Sequence, residues 1–404
     1  MVGENIDNQF RWLPSLRDLD ENQREVIFKS LEKDNHLIFG PAGCGKTAIT
    51  LYCAKTLQDT GKDYLILVYT WVLKNFISSA ANDLNIPQDK ITTFYSWVWH
   101  HLPGQIRDRD YNEDEKFDRW VDDLLSYYEK YPAETPNYDY VLIDEAQDFN
   151  PNVSKLLHLI SNNLFISGDT AQSLYTGIFK NEKLISMWQP LSNKSELVYN
   201  YRNPKVVAKV AALFVDDTSY DAEKFLSLVK GKNFEMKPIL YYVDSPYKQI
   251  SIISDLIKQT RGSERLGILF KTNSEVNSMA NLLRNNGVEF QIASRRNNGN
   301  YNFLTTRPTL ATIHSAKGLE FNWVVLPNLT SFVWDKYKND PNGRRLFFVA
   351  LTRTKNRLYL ITQRNFECAF VMEILRKDSS LLQIPEQQTQ KMSDSASDFD
   401  DLPF

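Results

Sequence analysis

The stretch Gly40-Pro41-Ala42-Gly43-Cys44-Gly45-Lys46-Thr47 decides the fold. It fits the pattern G-x-x-x-x-G-K-[ST]. In that pattern the glycines let backbone N–H groups close around phosphate oxygens, the lysine reaches the β/γ-phosphates and the hydroxyl ligates Mg2+. His36-Leu37-Ile38-Phe39 is a short apolar run feeding the loop, and Ala48-Ile49-Thr50-Leu51-Tyr52-Cys53-Ala54 reads as a helix leaving it. This is the strand–loop–helix setting that the motif requires. About a hundred residues further on, Val141-Leu142-Ile143 ends in Asp144-Glu145, two adjacent carboxylates where a nucleotide hydrolase holds its metal and its attacking water. Together the two segments imply hydrolysis of a nucleoside triphosphate, with Lys46 on the phosphates and the Thr47 hydroxyl on Mg2+.

Outward from this pair, short apolar or aromatic runs alternate with helix-like stretches. Candidate strands are His36–Phe39, Tyr64–Tyr69, Tyr140–Ile143, Leu164–Ser167, Ile239–Val243, Leu266–Phe270, Trp323–Leu326 and Leu358–Ile361. Such alternation argues for an α/β fold with parallel sheets covered by helices. The phosphate loop opens the first set and the second set has none of its own. The expected division is a first lobe over 1–200, a second over 201–383 and a disordered tail over 384–404, rich in Gln, Ser and Asp. Residues 96–137 lack strand signals and are expected to form a small helical insertion in the first lobe.

Composition narrows the class. Hydrophobic content of 42% and charged content of 24% are those of a soluble globular protein, and no apolar run approaches the ~20 residues needed to span a bilayer. Met1-Val2-Gly3-Glu4-Asn5-Ile6-Asp7 has neither the basic start nor the apolar core of a signal peptide. Cys44, Cys53 and Cys368 show no metal-ligand spacing and read as reduced thiols, so a cytoplasmic location is expected. The net charge of −3 leaves room for a nucleic-acid track, because a basic groove can sit on an acidic body.

Further segments fall in line. Leu19-Asp20-Glu21-Asn22-Gln23 precedes the loop, and a glutamine amide offers the donor and acceptor that match the edge of adenine. Gly168-Asp169-Thr170-Ala171-Gln172-Ser173-Leu174-Tyr175 follows a strand, suiting Gln172 to sense a γ-phosphate. Asn200-Tyr201-Arg202-Asn203-Pro204 offers an aromatic plane and a guanidinium. Thr312-Ile313-His314-Ser315-Ala316-Lys317-Gly318-Leu319-Glu320-Phe321 precedes a strand, and Arg344-Arg345-Leu346-Phe347-Phe348-Val349-Ala350-Leu351-Thr352-Arg353-Thr354 carries another candidate arginine. From about Leu19 to Thr354, this ordered set resembles the superfamily 1 helicases of the UvrD/Rep type.

The resemblance implies two RecA-like P-loop lobes clamping ATP, and a role for each motif. Gln23 and Tyr201 would hold the adenine, and Glu320, with Gly318 in the same ATP-binding segment, would approach the ribose. Thr47 with Asp144 would hold Mg2+, Glu145 would polarise the attacking water, Gln172 would couple the γ-phosphate to the nucleic-acid track, and Arg202 and Arg353 would stabilise charge on the transferring group. Fingers of this kind supply on the order of 10³–10⁵ in rate. Thr70, Thr93 and His314 would contact phosphates of single-stranded DNA, and Trp71, Phe94 and Trp97 would stack bases at roughly 1–3 kcal/mol each. Arg344 and Arg345 read as solvated or phosphate-contacting.

The sequence also departs from the family. Thr176-Gly177-Ile178-Phe179 stands where a Trp followed by Arg-Gly is usual. Only about a hundred residues separate Arg202 from Thr312, too few for the large helical insertion of full-length relatives, and no nuclease motif follows Arg353. The terminal Asp398-Phe399-Asp400-Asp401-Leu402-Pro403-Phe404 resembles the acidic tip of bacterial single-stranded-DNA-binding proteins. Asp400, Asp401, Leu402, Pro403 and Phe404 are therefore expected to dock in an apolar, basic-rimmed pocket of a partner. The leading expectation is an ATP-dependent DNA helicase or translocase moving 3′→5′. The second is a DNA-triggered ATPase that switches a partner effector. An RNA track is compatible with the same motifs, which mostly contact backbone.

Overall fold

The computed structural model describes residues 13–29, 35–107, 116–174, 181–215, 222–231, 236–260, 262–294, 301–303 and 305–385. The chain divides into two units, Met1–Tyr199 and Asn200–Phe404. The tail contacts expected at Asp400–Phe404 and the Thr176–Phe179 substitution lie outside the described residues, as does nearly all of the expected tail.

The first unit is built on β1 (His36–Phe39), β2 (Tyr64–Val68), β3 (Ile91–Thr93), β4 (Tyr140–Ile143), β5 (Leu164–Gly168) and β6 (Asn193–Glu196). They form one parallel sheet in the order β3-β2-β4-β5-β1-β6. The central strands are continuous apolar runs because helices cover both faces of a parallel sheet and leave no wet side. Edge strand β6, Asn-Lys-Ser-Glu, is polar and mostly exposed, which discourages pairing with another chain. The second unit repeats the plan with β7 (Ile239–Val243), β8 (Leu266–Phe270), β9 (Gln291–Ala293), β10 (Thr309–Thr312), β11 (Phe321–Leu326) and β12 (Thr354–Gln363), all parallel in the order β7-β12-β11-β8-β10-β9. Two α/β units with parallel sheets are thus the architecture of the chain. None of the helices among the described residues is long and apolar enough to cross a membrane.

All eight expected strands are present, but β3, β6, β9 and β10 carried too little signal to be read. β3 and β9 have three residues each, β6 is polar, and β10 is Thr-Leu-Ala-Thr. Between β3 and β4 the described chain is helical, with helices Phe94–His101 and Lys116–Lys130, so the insertion begins slightly earlier than expected. Helix Lys116–Lys130 presents Trp120, Val121, Leu124 and Tyr128 to the core, an i, i+1, i+4, i+8 stripe that closes one face of the sheet.

That stripe forces a correction. Phe94, expected to stack on bases, has no exposed surface; it packs edge-to-face on Phe149 with ring centroids 5.3 Å apart, inside the first unit's core. Trp97 is buried in the same cluster, with its Nε1 donating to the Tyr138 hydroxyl at 3.3 Å. Both lie on the inward side of a short helix, and the aromatic content of that helix serves packing. The Phe94→Ala variant should therefore lose about 3–5 kcal/mol of unfolding free energy. Urea melts check this: unchanged stability with a selective loss of single-strand binding would restore Phe94 to the nucleic-acid track.

Candidate nucleotide-hydrolysis site

Strand β1 delivers the chain to a loop whose glycines are required by close approach and by backbone sign. A Cβ on Gly40 would lie 2.4 Å from the Leu197 carbonyl oxygen. Gly43 and Gly45 have φ of 75° and 93°, in the left-handed region that side chains resist. Helix Lys46–Asp59 begins at once, with no side chain capping its N-terminus, so its first N–H groups and dipole face the loop. Lys46 Nζ donates to the carbonyls of Gly40 at 2.7 Å and Pro41 at 3.2 Å.

Gln23 takes part in this loop in a way the adenine assignment does not require. Its Nε2 donates to the Cys44 carbonyl at 2.9 Å, and its Oε1 accepts from the Asp20 N–H at 2.9 Å. The Gln23 N–H returns a bond to Asp20 Oδ1 at 2.7 Å, a reciprocal cap at the start of helix Glu21–Lys29. The amide still retains one N–H and one lone pair.

At the neighbouring strand ends, three carboxylates gather near Lys46. Thr47 Oγ1 donates to Asp144 Oδ2 at 2.7 Å, and Ser167 Oγ to Asp144 Oδ1 at 2.6 Å. Glu145 follows in a left-handed conformation, φ 58° and ψ 44°, strain of about 1–3 kcal/mol that a carboxylate endures only where its direction matters. Gln147 Nε2 donates to Glu145 Oε2 at 2.6 Å, the Asp169 N–H donates to Gln147 Oε1 at 2.8 Å, and Gln172 Nε2 donates to Asp169 Oδ2 at 2.5 Å.

Burial raises the Asp144 pKa, helped by the charge of Glu145 and opposed by the bonds from Ser167 and Thr47 and by Lys46. Burial likewise raises Asp169, against the pull of Lys46 and Gln172. For Lys46, desolvation works against the charge, but Cys44 and the carboxylates of Asp169, Glu145 and Asp144 outweigh it and the pKa rises. The cluster therefore holds a fixed ammonium beside oxygen donors, the partners that a hard divalent ion and polyphosphate require. Ser167, Gln147 and Asp169 escaped the sequence analysis. A lone serine in the apolar run Leu164-Phe165-Ile166-Ser167, and a polar pair around each assigned residue, were the available signals.

In the second unit, Asn200 Oδ1 accepts from the N–H groups of Arg202 (3.0 Å) and Asn203 (3.1 Å), folding a turn that leaves Tyr201 partly exposed. Asn203 Nδ2 pins that turn to the Thr352 and Thr354 carbonyls at 3.1 and 2.7 Å. Arg202 Nε bonds Glu320 Oε2 at 3.1 Å, while Lys355 Nζ holds Glu320 Oε1 at 2.6 Å. Burial would raise the Glu320 pKa, but these two cations overcome it and hold the carboxyl at about 2. Gly318 takes φ 82° just before it. Arg353 is buried, donating from Nε to the Val349 carbonyl at 3.0 Å and from a guanidinium N–H to Leu319 at 3.3 Å. Arg344 is partly exposed; it forms a two-pronged ion pair with Glu373 (2.7 and 3.2 Å) and donates to the Leu213 carbonyl at 2.8 Å, whereas Arg345 is buried rather than solvated.

The expected nucleic-acid contacts are divided. Thr70 and Thr93 cap adjacent helices, each accepting a backbone N–H from Leu73 and Ser96, which leaves their hydroxyl hydrogens to donate. Trp71 is half-buried on the first of these helices. His314 is mostly buried, and burial together with Lys271 and Lys317 holds its pKa at about 4.

Two families match this chain: an AAA domain over residues 23–178 and the UvrD-like helicase C-terminal domain over 297–365. The first spans the phosphate loop, Asp144, Glu145 and Gln172, and the second His314, Glu320 and Arg353. In both segments the chain is thus similar to superfamily 1 helicases of the UvrD/Rep type. Similar proteins include a probable DNA helicase II homolog of Mycoplasma capricolum, 27% identical over 38% of this chain and 23% of its own length. A mitochondrial ATP-dependent DNA helicase of Saccharomyces cerevisiae is 27% identical over 38% of this chain and 24% of its own. The ATP-dependent DNA helicase PcrA of Staphylococcus aureus is 26% identical over 49% and 30%. The matches thus span less than a third of those relatives' lengths.

The state of His314 predicts an acid response of the folded chain. The unfolded imidazole takes a proton near pH 6.5, the folded one only near pH 4, so its contribution to stability is full above pH 6.5 and lost as pH falls toward 4. In the His314→Gln variant, the drop in unfolding free energy between pH 7 and pH 4.5 should be smaller by about 2–3 kcal/mol. Urea titrations at the two pH values test this; an identical drop in both proteins would mean that the imidazole is not desolvated.

Proposed function

We propose that the chain hydrolyses ATP with Mg2+ and couples hydrolysis to movement on single-stranded DNA, in the 3′→5′ direction. The observation that carries the proposal is the meeting of half-buried Thr47 with buried Lys46, Asp144 and Glu145, with Thr47 Oγ1 2.7 Å from Asp144. Thr47 and Asp144 would hold Mg2+, which supplies charge neutralisation at the phosphate oxygens. Lys46 adds a second, permanent positive charge there. Glu145, aimed by its left-handed backbone, orients a water and accepts its proton. Gln172, Arg202, Glu320, Arg353, Gln23 and Tyr201 keep the roles that the resemblance implies, and Thr70, Thr93, Trp71 and His314 are proposed contacts to the strand. With a pKa of about 4, His314 would meet the strand as a neutral hydrogen-bonding group.

A second reading is that the ATPase switches a partner effector with little strand separation. It is favoured by the short chain, residues 294–308, between β9 and β10, which leaves no room for a large insertion at that point in the second unit. Partner contacts through Asp400–Phe404 would belong to this reading.

Steady-state ATPase assays with and without single-stranded DNA decide among these. Glu145→Gln should retain ATP binding while turnover falls by about 10²–10⁴-fold, whereas Lys46→Ala should weaken nucleotide binding itself. Stimulation by DNA followed by strand displacement supports the motor, and stimulation without displacement supports the switch. Preference for RNA would redirect the substrate, and a rate indifferent to both would overturn the nucleic-acid coupling.

A further inference from the structure

We infer that Gln147 is a positioning residue for Glu145, fixing its carboxylate and tying it to the loop that carries Gln172. The inference rests on the hydrolase reading above and deepens it at the same site.

The orientation of the Gln147 amide is dictated by its partners. The Asp169 N–H can only donate, so the Gln147 oxygen must face it, at 2.8 Å. The amide nitrogen is thereby turned to Glu145 Oε2, at 2.6 Å. A carboxylate cannot donate in its ionised form and a methylene cannot donate at all, so neither substitute could serve both neighbours. Gln147 is wholly buried, and the short 3-10 turn Ala146–Asp148 brings its side chain back beside Glu145.

The surrounding residues make room for this amide. A Cβ at Gly168 would come within 3.1 Å of Gln147 Oε1 and 3.0 Å of Leu184. Ser173 Oγ reaches the Gln147 carbonyl at 3.4 Å. Beyond Asp169 N–H, the Asp169 carboxylate receives Gln172 Nε2 at 2.5 Å and the Ala171 N–H at 3.0 Å. Glu145, Gln147, Asp169 and Gln172 therefore form one chain of hydrogen bonds that joins the end of β4 to the end of β5. A shift of the Gln172 loop draws on Gln147 and so redirects Glu145. The group that accepts the water's proton and the group assigned to the γ-phosphate are thereby coupled through the Gln147 amide.

The test is a double-mutant cycle on ATP turnover with the full chain. Gln147→Met removes both bonds at similar volume, and Gln147→Glu keeps an acceptor for Asp169 while removing the donor to Glu145. Both should lower kcat by ~10- to 100-fold, the cost of a misplaced reacting group, with KM for ATP changed less than threefold. In a Glu145→Gln background, adding Gln147→Met should change the residual rate less than threefold, because the residue it serves is already disabled. Equal fold losses from Gln147→Met in the two backgrounds would overturn the inference, as would a rise in KM with kcat unchanged. Absence of turnover in the unsubstituted chain would instead overturn the hydrolase reading, and the positioning role with it.

Discussion

The bond from Thr47 to Asp144 sets the terms for the first unit. Thr47 opens the helix reached from β1 through the loop and Asp144 follows the end of β4; those strands are not neighbours, because β5 runs between them. Strands are ~4.8 Å apart, so the Asp144 carboxylate on its way to Thr47 passes the C-terminal part of the middle strand, where a small polar residue fits. Ser167 is that residue, and it donates to the same carboxylate. A larger side chain there would separate the halves of the site, and an apolar one would leave an oxygen of Asp144 short of a partner.

Burial follows from this arrangement and brings an electrostatic requirement. Three carboxylates and an ammonium without water are tolerable only as a mutually compensating set with every oxygen hydrogen-bonded. Raised pKa values at Asp144 and Asp169 mark the cost of desolvation, and the raised value at Lys46 marks the compensation. The amides of Gln147 and Gln172 complete the network without adding charge. In the second unit the balance runs the other way. One carboxylate, Glu320, lies between Arg202 and Lys355 and is held ionised, so the Arg202 side chain is held in place by its own unit.

Much of this was legible in the chain. Buried parallel strands announce themselves as apolar runs, and a phosphate loop as glycines at fixed spacing before a lysine, because backbone sterics allow little else. Lys46, Thr47, Asp144 and Glu145 were singled out for that reason. The strands that escaped were too short or too polar to carry a pattern. The helix Phe94–His101 misled in the opposite direction: an aromatic run reads equally well as a stacking platform and as core, and only the packing of Phe149 and Trp120 against it decides. Arg344 illustrates the same limit, since its partner Glu373 lies on a helix far along the chain.

The sequence by itself indicated which chemistry the first unit can support and where its apolar strands β1, β2, β4 and β5 begin, because both depend on local backbone geometry and on residue type at fixed spacing. Tertiary structure alone decided which polar groups hold the charged ones. Ser167, Gln147 and Asp169 join the site through strand order and loop curvature, and Asn203, Glu320 and Lys355 fix Arg202 in the same way. Hydrogen bonds between distant segments leave no periodic trace in a sequence; they exist only once the sheet has set its strands side by side.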